Sequence, residues 1–253
     1  MKTKFFSLIS ILSIIISCAS FGINPEEASA DNSNNDQSTI YTNRRADPDS
    51  ANWDIANLDT AADAEYLSSI EKDIVLEMNK VRTNPRKFTE LYIQPRLKYY
   101  NGRNFSVPGQ ITIVTREGAA AVNSCITALN RAASVGILSP EKGLSLAAKD
   151  HVNDQAKTGQ TGHNGSNKST PETRMKNFGS FAAPWTLGEN IAYGPSTGRD
   201  IIVELLIDDG VPNRGHRANI MNKDFTQTGV GFGTHAQYGT SCTITYANGY
   251  TSN

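Results

Sequence analysis

Four polar stretches in the second half of the chain set titratable side chains beside glycines. They span residues 158–166, 187–194, 205–212 and 213–220, and they supply His163, Glu189, the pair Asp208–Asp209, and His216. Glycine at such positions lets the backbone carry the neighbouring group into a cleft. Imidazoles and carboxylates are the groups that ligate a divalent cation or move a proton. Other chemistry-bearing strings are weaker. Gly194-Pro195-Ser196-Thr197-Gly198 matches G-x-S-x-G, but a nucleophile elbow needs a buried strand before it. Asn190 to Tyr193 makes a poor central strand, and Thr197 with Asp200 reads as a helix N-cap. Gly229, Gly231 and Gly233 sit in a strand pattern, so they read as a strand face approached closely by another backbone, not as a dinucleotide loop. There is no H-E-x-x-H, C-x-x-C or P-loop string.

These groups need elements to position them. Ser68 and Glu71 form a capping-box pattern, and Ile70, Ile74, Met78 and Val81 follow on one helical face. Asn84-Pro85 ends or bends that helix. Alternation at 111–115 predicts a short strand, and a second helix is expected from about Glu117 to Ala133, with Val122, Cys125, Ile126 and Leu129 inward. A third helix is expected to start near Ser139-Pro140, with Pro140 in its first turn, and to close at Gly159. Its apolar face includes His151, which reads as a packed core histidine. Shorter helices are expected at 171–178 and 199–208, then a hairpin of 228–233 with 241–247. His235, just past the glycine strand, reads as a surface or rim residue. Helices first and strand pairing late point to an α+β fold.

The N-terminus is a different material. Lys2 and Lys4 precede an apolar run from Phe5 to Ile16, which reads as a signal peptide and is too short to span a bilayer comfortably. Ile15-Ile16-Ser17-Cys18 resembles a lipobox, which makes Cys18 the expected lipidation site and residues 1–17 the leader. Residues 18–66 are polar and lack apolar periodicity, so they are expected to be a disordered acidic tether. The first 66 residues take four of the 24 basic and ten of the 25 acidic residues, leaving 20 and 15 for a mildly basic head at 67–253. A net charge of −1 for the whole chain speaks against a dedicated nucleic-acid binder. Export permits a disulfide between Cys125 and Cys242; two separate buried thiols are the alternative.

The head resembles the CAP superfamily of cysteine-rich secretory, antigen 5 and pathogenesis-related proteins. Glu77-Met78-Asn79-Lys80-Val81-Arg82 resembles its opening helix. Gly162-His163, Gly188-Glu189-Asn190-Ile191 and Gly215-His216-Arg217-Ala218-Asn219-Ile220 resemble its signature segments, in the family's order, and Gly229-Val230-Gly231 its closing strand. The resemblance implies a three-layer α-β-α sandwich in which two histidines and two acidic residues meet in a central cleft. Residue by residue, it implies His163, Glu189 and His216. The fourth is Asp208, or Asp209 if the register shifts by one, because the tryptophan that usually marks the position is absent here.

Two imidazoles and one or two carboxylates would suit Zn²⁺ or another divalent cation, with positions left for water. Without metal, each carboxylate would raise the pKa of its histidine, or the four would be a buried polar network. The expected protein is therefore exported and held at the cell envelope by an N-terminal lipid. Its cleft takes a metal, a lipid, or a host or envelope ligand, and it is more a binder than an enzyme. A metal-dependent hydrolase of peptide, glycan or nucleic acid using His163, Glu189, Asp208 and His216, and a structural envelope protein, are the alternatives.

Overall fold

A computed structural model describes residues 52–253. The expected leader, Cys18 and most of the expected tether lie outside the described residues. The chain runs α1 (Ile55–Leu58), α2 (Ser69–Thr83) and α3 (Pro85–Phe88), then a π turn and a 3₁₀ segment to Tyr99. A small antiparallel sheet follows, made of β1 (Tyr100–Asn101), β2 (Asn104–Phe105) and β3 (Ile113–Val114) in that order. Then come α4 (Ala119–Arg131), β4 (Ser139–Pro140), α5 (Lys142–Thr158), α6 (Pro171–Asn177) and β5 (Gly179–Tyr193). The chain ends with α7 (Gly198–Ile207), α8 (Gly215–Ile220), β6 (Gln227–His235) and β7 (Gly239–Ser252).

The main sheet has the order β4-β6-β7-β5, with β4 parallel to β6 and the other pairs antiparallel. Strand alternation splits the apolar residues between two faces. Val230, Cys242, Ile244 and Tyr246 join the larger core with α2, α4 and α7. Ala247 and Tyr250 join a smaller core with Leu144 of α5 and Met175 of α6. The result is the α-β-α sandwich that the segments imply. The glycines of β6 make the second interface possible: a Cβ on Gly229 would lie 2.2 Å from the Leu144 carbonyl carbon, and one on Gly231 2.6 Å from the Lys149 nitrogen. Helix α5 therefore rests directly on bare strand.

Four expectations change. Among the described residues, packing already includes residue 53, upstream of the expected start at 67. Trp53, Leu58, Ala61 and Leu67 are all buried, and Trp53 Nε1 donates to Tyr92 Oη at 2.9 Å. A few apolar anchors suffice to dock this otherwise polar strap. Limited proteolysis is therefore expected to leave a resistant fragment starting close to residue 52; a fragment trimmed to residue 67 would show that the strap does not pack.

Pro140 is not in a helix. Ser139–Pro140 pairs with Gln227–Thr228, a position at the sheet edge that tolerates proline, and α5 begins two residues later. Gly118, at φ +63°, delays α4 to Ala119. Asn190–Tyr193 is strand after all: it closes β5, whose place at the sheet edge and whose irregularity between Phe181 and Thr186 account for its poor central-strand pattern. The capping interaction of α2 holds as expected, with the Ser68 N–H donating to Glu71 Oε2 at 2.7 Å.

Candidate functional site: two histidine–carboxylate pairs beside a cavity

The first pair joins β5 to the loop after α5. His163 Nδ1 lies 2.8 Å from Glu189 Oε1. The other carboxylate oxygen accepts from Arg174 Nη2 at 2.7 Å, and Arg174 Nη1 donates to the His163 carbonyl at 3.0 Å. Arg174, on α6, is 1% exposed and was not singled out from sequence; a lone arginine on a seven-residue helix carries no pattern. Burial alone would push the Glu189 carboxyl up, but the His163 hydrogen bond and the Arg174 charge outweigh it and hold it below the usual carboxylate range.

A depressed carboxylate pKa contributes stability that is complete above the unfolded value, about 4.3, and is lost as pH falls through the folded value. Glu189→Gln is accordingly expected to melt below the wild type at pH 7, with the gap narrowing as pH drops toward 3. Melting curves across that range check it, and a gap that stays constant would mean that Glu189 is not ionised in the fold.

The second pair forms where α7 ends. Asp208 terminates the helix in the left-handed region, at φ +58°, a conformation aspartate tolerates better than most residues. Its carboxylate turns to His216: Oδ1 lies 2.6 Å from Nδ1, and Oδ2 accepts the His216 backbone N–H at 3.0 Å. Of the two aspartates, it is Asp208 that faces His216. Asp209 faces away and accepts the backbone N–H groups of Arg116 and Glu117, tying the start of α4 to this turn. Arg214, in the turn before α8, bridges Glu117 and the Asp208 carbonyl.

Asparagines of the two signature segments connect the pairs. Asn190 Nδ2 donates to the His216 carbonyl at 3.1 Å, and Asn219 Nδ2 donates to Asn190 Oδ1 at 2.9 Å. Because side chains alternate along β5, Glu189 serves one histidine while its neighbour Asn190 buttresses the segment that carries the other. Each histidine thus has Nδ1 fixed by a carboxylate. That is the outer-shell arrangement of metal-binding histidines, in which Nε2 is the ligating atom. Among the described residues, however, no three His, Cys, Asp or Glu side chains come together so as to hold a metal ion.

A cavity of about 280 Å³ lies between the small sheet and α7, and the second pair forms part of its wall. Tyr100, Phe105, Ile113, Ile191, Leu205 and Ile207 give it an apolar lining. His163 and Glu189 do not line it. Glu204, one turn before Asp208, does; burial pushes its carboxyl up to about 7, with Arg96 opposing and Asp200 adding to the rise. A wider depression of about 890 Å³ shares Arg96, Phe105, Ile113, Tyr193 and Glu204 with this cavity.

The remaining histidines are structural. His151 is buried, and both it and Gln155 contact the Gly162 carbonyl, at 2.7 and 2.8 Å, so α5 holds the residue before His163 in place. Burial lowers the His151 pKa. His235 is not a rim residue: it is 2% exposed, packs against Tyr193 and Tyr238, and contacts the Gln160 carbonyl. The aromatic neighbours that bury it come from β5 and the β6–β7 turn, which its own flanking sequence does not reveal. Cys125 and Cys242 are separate buried thiols rather than a disulfide. Burial pushes both pKa values up, Cys125 to about 11, which makes them poor nucleophiles. Ser196 stands exposed in the turn ahead of α7, where Thr197 Oγ1 accepts the Asp200 N–H, so the G-x-S-x-G string is a helix cap.

The model of the cysteine-rich secretory protein family (CAP) matches residues 75–247, and the chain belongs to that family. Among solved structures, it is similar to an extracellular protein containing an SCP domain from Bacillus anthracis, at 24% identity and a TM-score of 0.35 over 44% of this chain and 34% of that one. The chain thus spans about a third of that protein. It is also similar to an outer surface protein from Borrelia burgdorferi, at 15% identity and a TM-score of 0.37 over 48% of this chain and 82% of that one. No curated protein sequence matches it.

Proposed function

We propose that this CAP protein is exported, held at the cell envelope by a lipid on Cys18, and binds an apolar or amphiphilic ligand in the cavity between the small sheet and α7. The cavity carries this reading: nine aromatic and aliphatic side chains line it beside eight polar ones, Arg96, Arg103 and Arg116 among them, a mixed lining that suits an amphiphile. The Asp208–His216 pair serves as a fixed wall, and the His163–Glu189 pair, outside the cavity, holds the neighbouring segments. Asp208, Glu189 and His216 are between 2% and 5% exposed, which suits a positioning network better than attack on a substrate.

A second reading keeps a divalent cation, supported by the carboxylate that fixes each imidazole. His163 and His216 would hold it through Nε2, and the ion would supply Lewis acidity to a bound water.

Native mass spectrometry of the Cys18→Ala protein separates the readings. An apolar adduct that is lost when Ile191 and Leu205 are replaced by Asn supports the cavity; purification without adduct, and no uptake of added fatty acid, removes it. Zinc that raises the melting temperature, and ceases to do so in His163→Gln/His216→Gln, establishes the cation. At a hundredfold excess over Kd the stabilisation would be about 2.7 kcal/mol, shrinking below pH ~6.5 as protons compete for the imidazoles.

A further inference from the structure

Residues 94–116, which build the small sheet over the cavity, contain Arg96, Lys98, Arg103 and Arg116 and no acidic residue. The acidic groups that approach this stretch from other elements are engaged. Asp200 pairs with Arg96, Glu117 with Arg214, and Asp209 holds the backbone N–H groups of Arg116 and Glu117. Glu204 lines the cavity beneath. Lys98, Arg103 and Arg116 are exposed.

Among the described residues, the same stretch carries the two most exposed large aliphatic side chains, Ile111 at 81% and Val114 at 55%. Ile113 and Val114 of β3 both border the cavity, and Val114, on its rim, remains 55% exposed. Ile111 borders the wider depression, and Tyr99 and Phe105 pack edge to face near it.

We propose that the exposed rim of the cavity, formed by this small sheet and the turn before β3, docks onto an anionic lipid bilayer. Ile111 and Val114 would enter the boundary between headgroups and acyl chains, while Lys98 and Arg103 lie among the phosphates. Exposed aliphatic residues with a basic surround are the composition that interfacial membrane binding selects. A soluble polyanion would use the cations and leave the aliphatic pair without a role. A protein partner would not require the absence of acidic residues across the whole stretch. The docking does not depend on what fills the cavity, although it would bring the cavity's rim to the lipid surface.

The test is co-sedimentation of the full-length Cys18→Ala protein, which lacks the expected anchor, with vesicles of phosphatidylcholine alone or with about 30% phosphatidylglycerol. Binding is expected only to the anionic vesicles, and it should fall at least ~tenfold when ionic strength rises to about 1 M, where the Debye length is about 3 Å. Lys98→Glu/Arg103→Glu and Ile111→Ser/Val114→Ser should each weaken it by a similar factor. These positions are exposed, so the variants should keep the wild-type melting temperature. In an Ile111→Trp variant, emission should shift to the blue on adding anionic vesicles. Equal binding to both vesicle types, no binding to either, or binding that heparin matches and Ile111→Ser/Val114→Ser leaves unchanged would each overturn the proposal.

Discussion

Arg82→Met is expected to destabilise the fold by about 3–5 kcal/mol, because several buried carbonyls lose their donor at about 1–3 kcal/mol each. Arg82 is wholly buried on α2. Its Nε donates to the Gly136 carbonyl at 2.7 Å, Nη1 to Ile220 and Asn222 at 2.7 and 2.9 Å, and Nη2 to Phe225 at 2.9 Å. One planar group therefore satisfies four carbonyls from two distant segments, the approach to β4 and the turn after α8. Methionine fills a similar volume but leaves those acceptors buried without donors, and each orphan costs about 1–3 kcal/mol unless water reaches it. Burial draws the Arg82 pKa down to about 10, so the group stays charged at neutral pH. Arg82→Lys should recover little, because a compact ammonium cannot match the fork of a guanidinium. Urea denaturation of the three proteins checks this. A loss below ~1 kcal/mol for the methionine variant would mean that water replaces the arginine.

Arg82 also shows what could be read from the residues and what could not. The segment Glu77-Met78-Asn79-Lys80-Val81-Arg82 was legible as an opening helix, and its apolar spacing put Met78 and Val81 inward. The work of its polar members was not legible, because their partners lie far away in the chain. Asn79 brackets Leu138 through both backbone groups and also reaches Leu58, while Arg82 reaches 138 residues ahead to Ile220. The same divide runs through the site. Glycine-flanked histidines and acids announced themselves, and the structure brings them together as pairs, with Asp208 rather than Asp209 facing His216. Arg174 stayed hidden because nothing local distinguishes a fully buried arginine from a surface one. The strap at 53–66 was obscured for a related reason. Its docking rests on single anchors such as Trp53, and a compositional reading of a long polar segment averages those anchors away.

The glycine strand is the opposite case, since its meaning was readable before its partner was known, and it yields the second large effect. Gly229→Ala is expected to cost about 3 kcal/mol or more, the upper end of the overpacking range. The new methyl would stand 2.2 Å from the carbonyl carbon of Leu144 and 2.3 Å from the nitrogen of Ser145. Both are helix backbone, which cannot rotate aside as a side-chain tip would. Either α5 lifts from β6 or the strand bows. Lifting α5 would open the smaller core, where Leu144 packs with Ala247 and Tyr250, and would loosen the Thr245 hydroxyl contact with the Leu144 carbonyl. It would also carry His151 and Gln155 away from Gly162, the residue that sets His163 against Glu189. The variant should therefore lose order at the His163 loop as well as stability, visible as faster amide exchange at residues 160–166. Gly136→Ala separates crowding from any general cost of replacing glycine, because its added methyl meets open space at ordinary φ; there the expected change is within ~1 kcal/mol. Comparable losses at both positions would show that helix and strand are not in direct contact, and would remove the physical reason for glycine at 229.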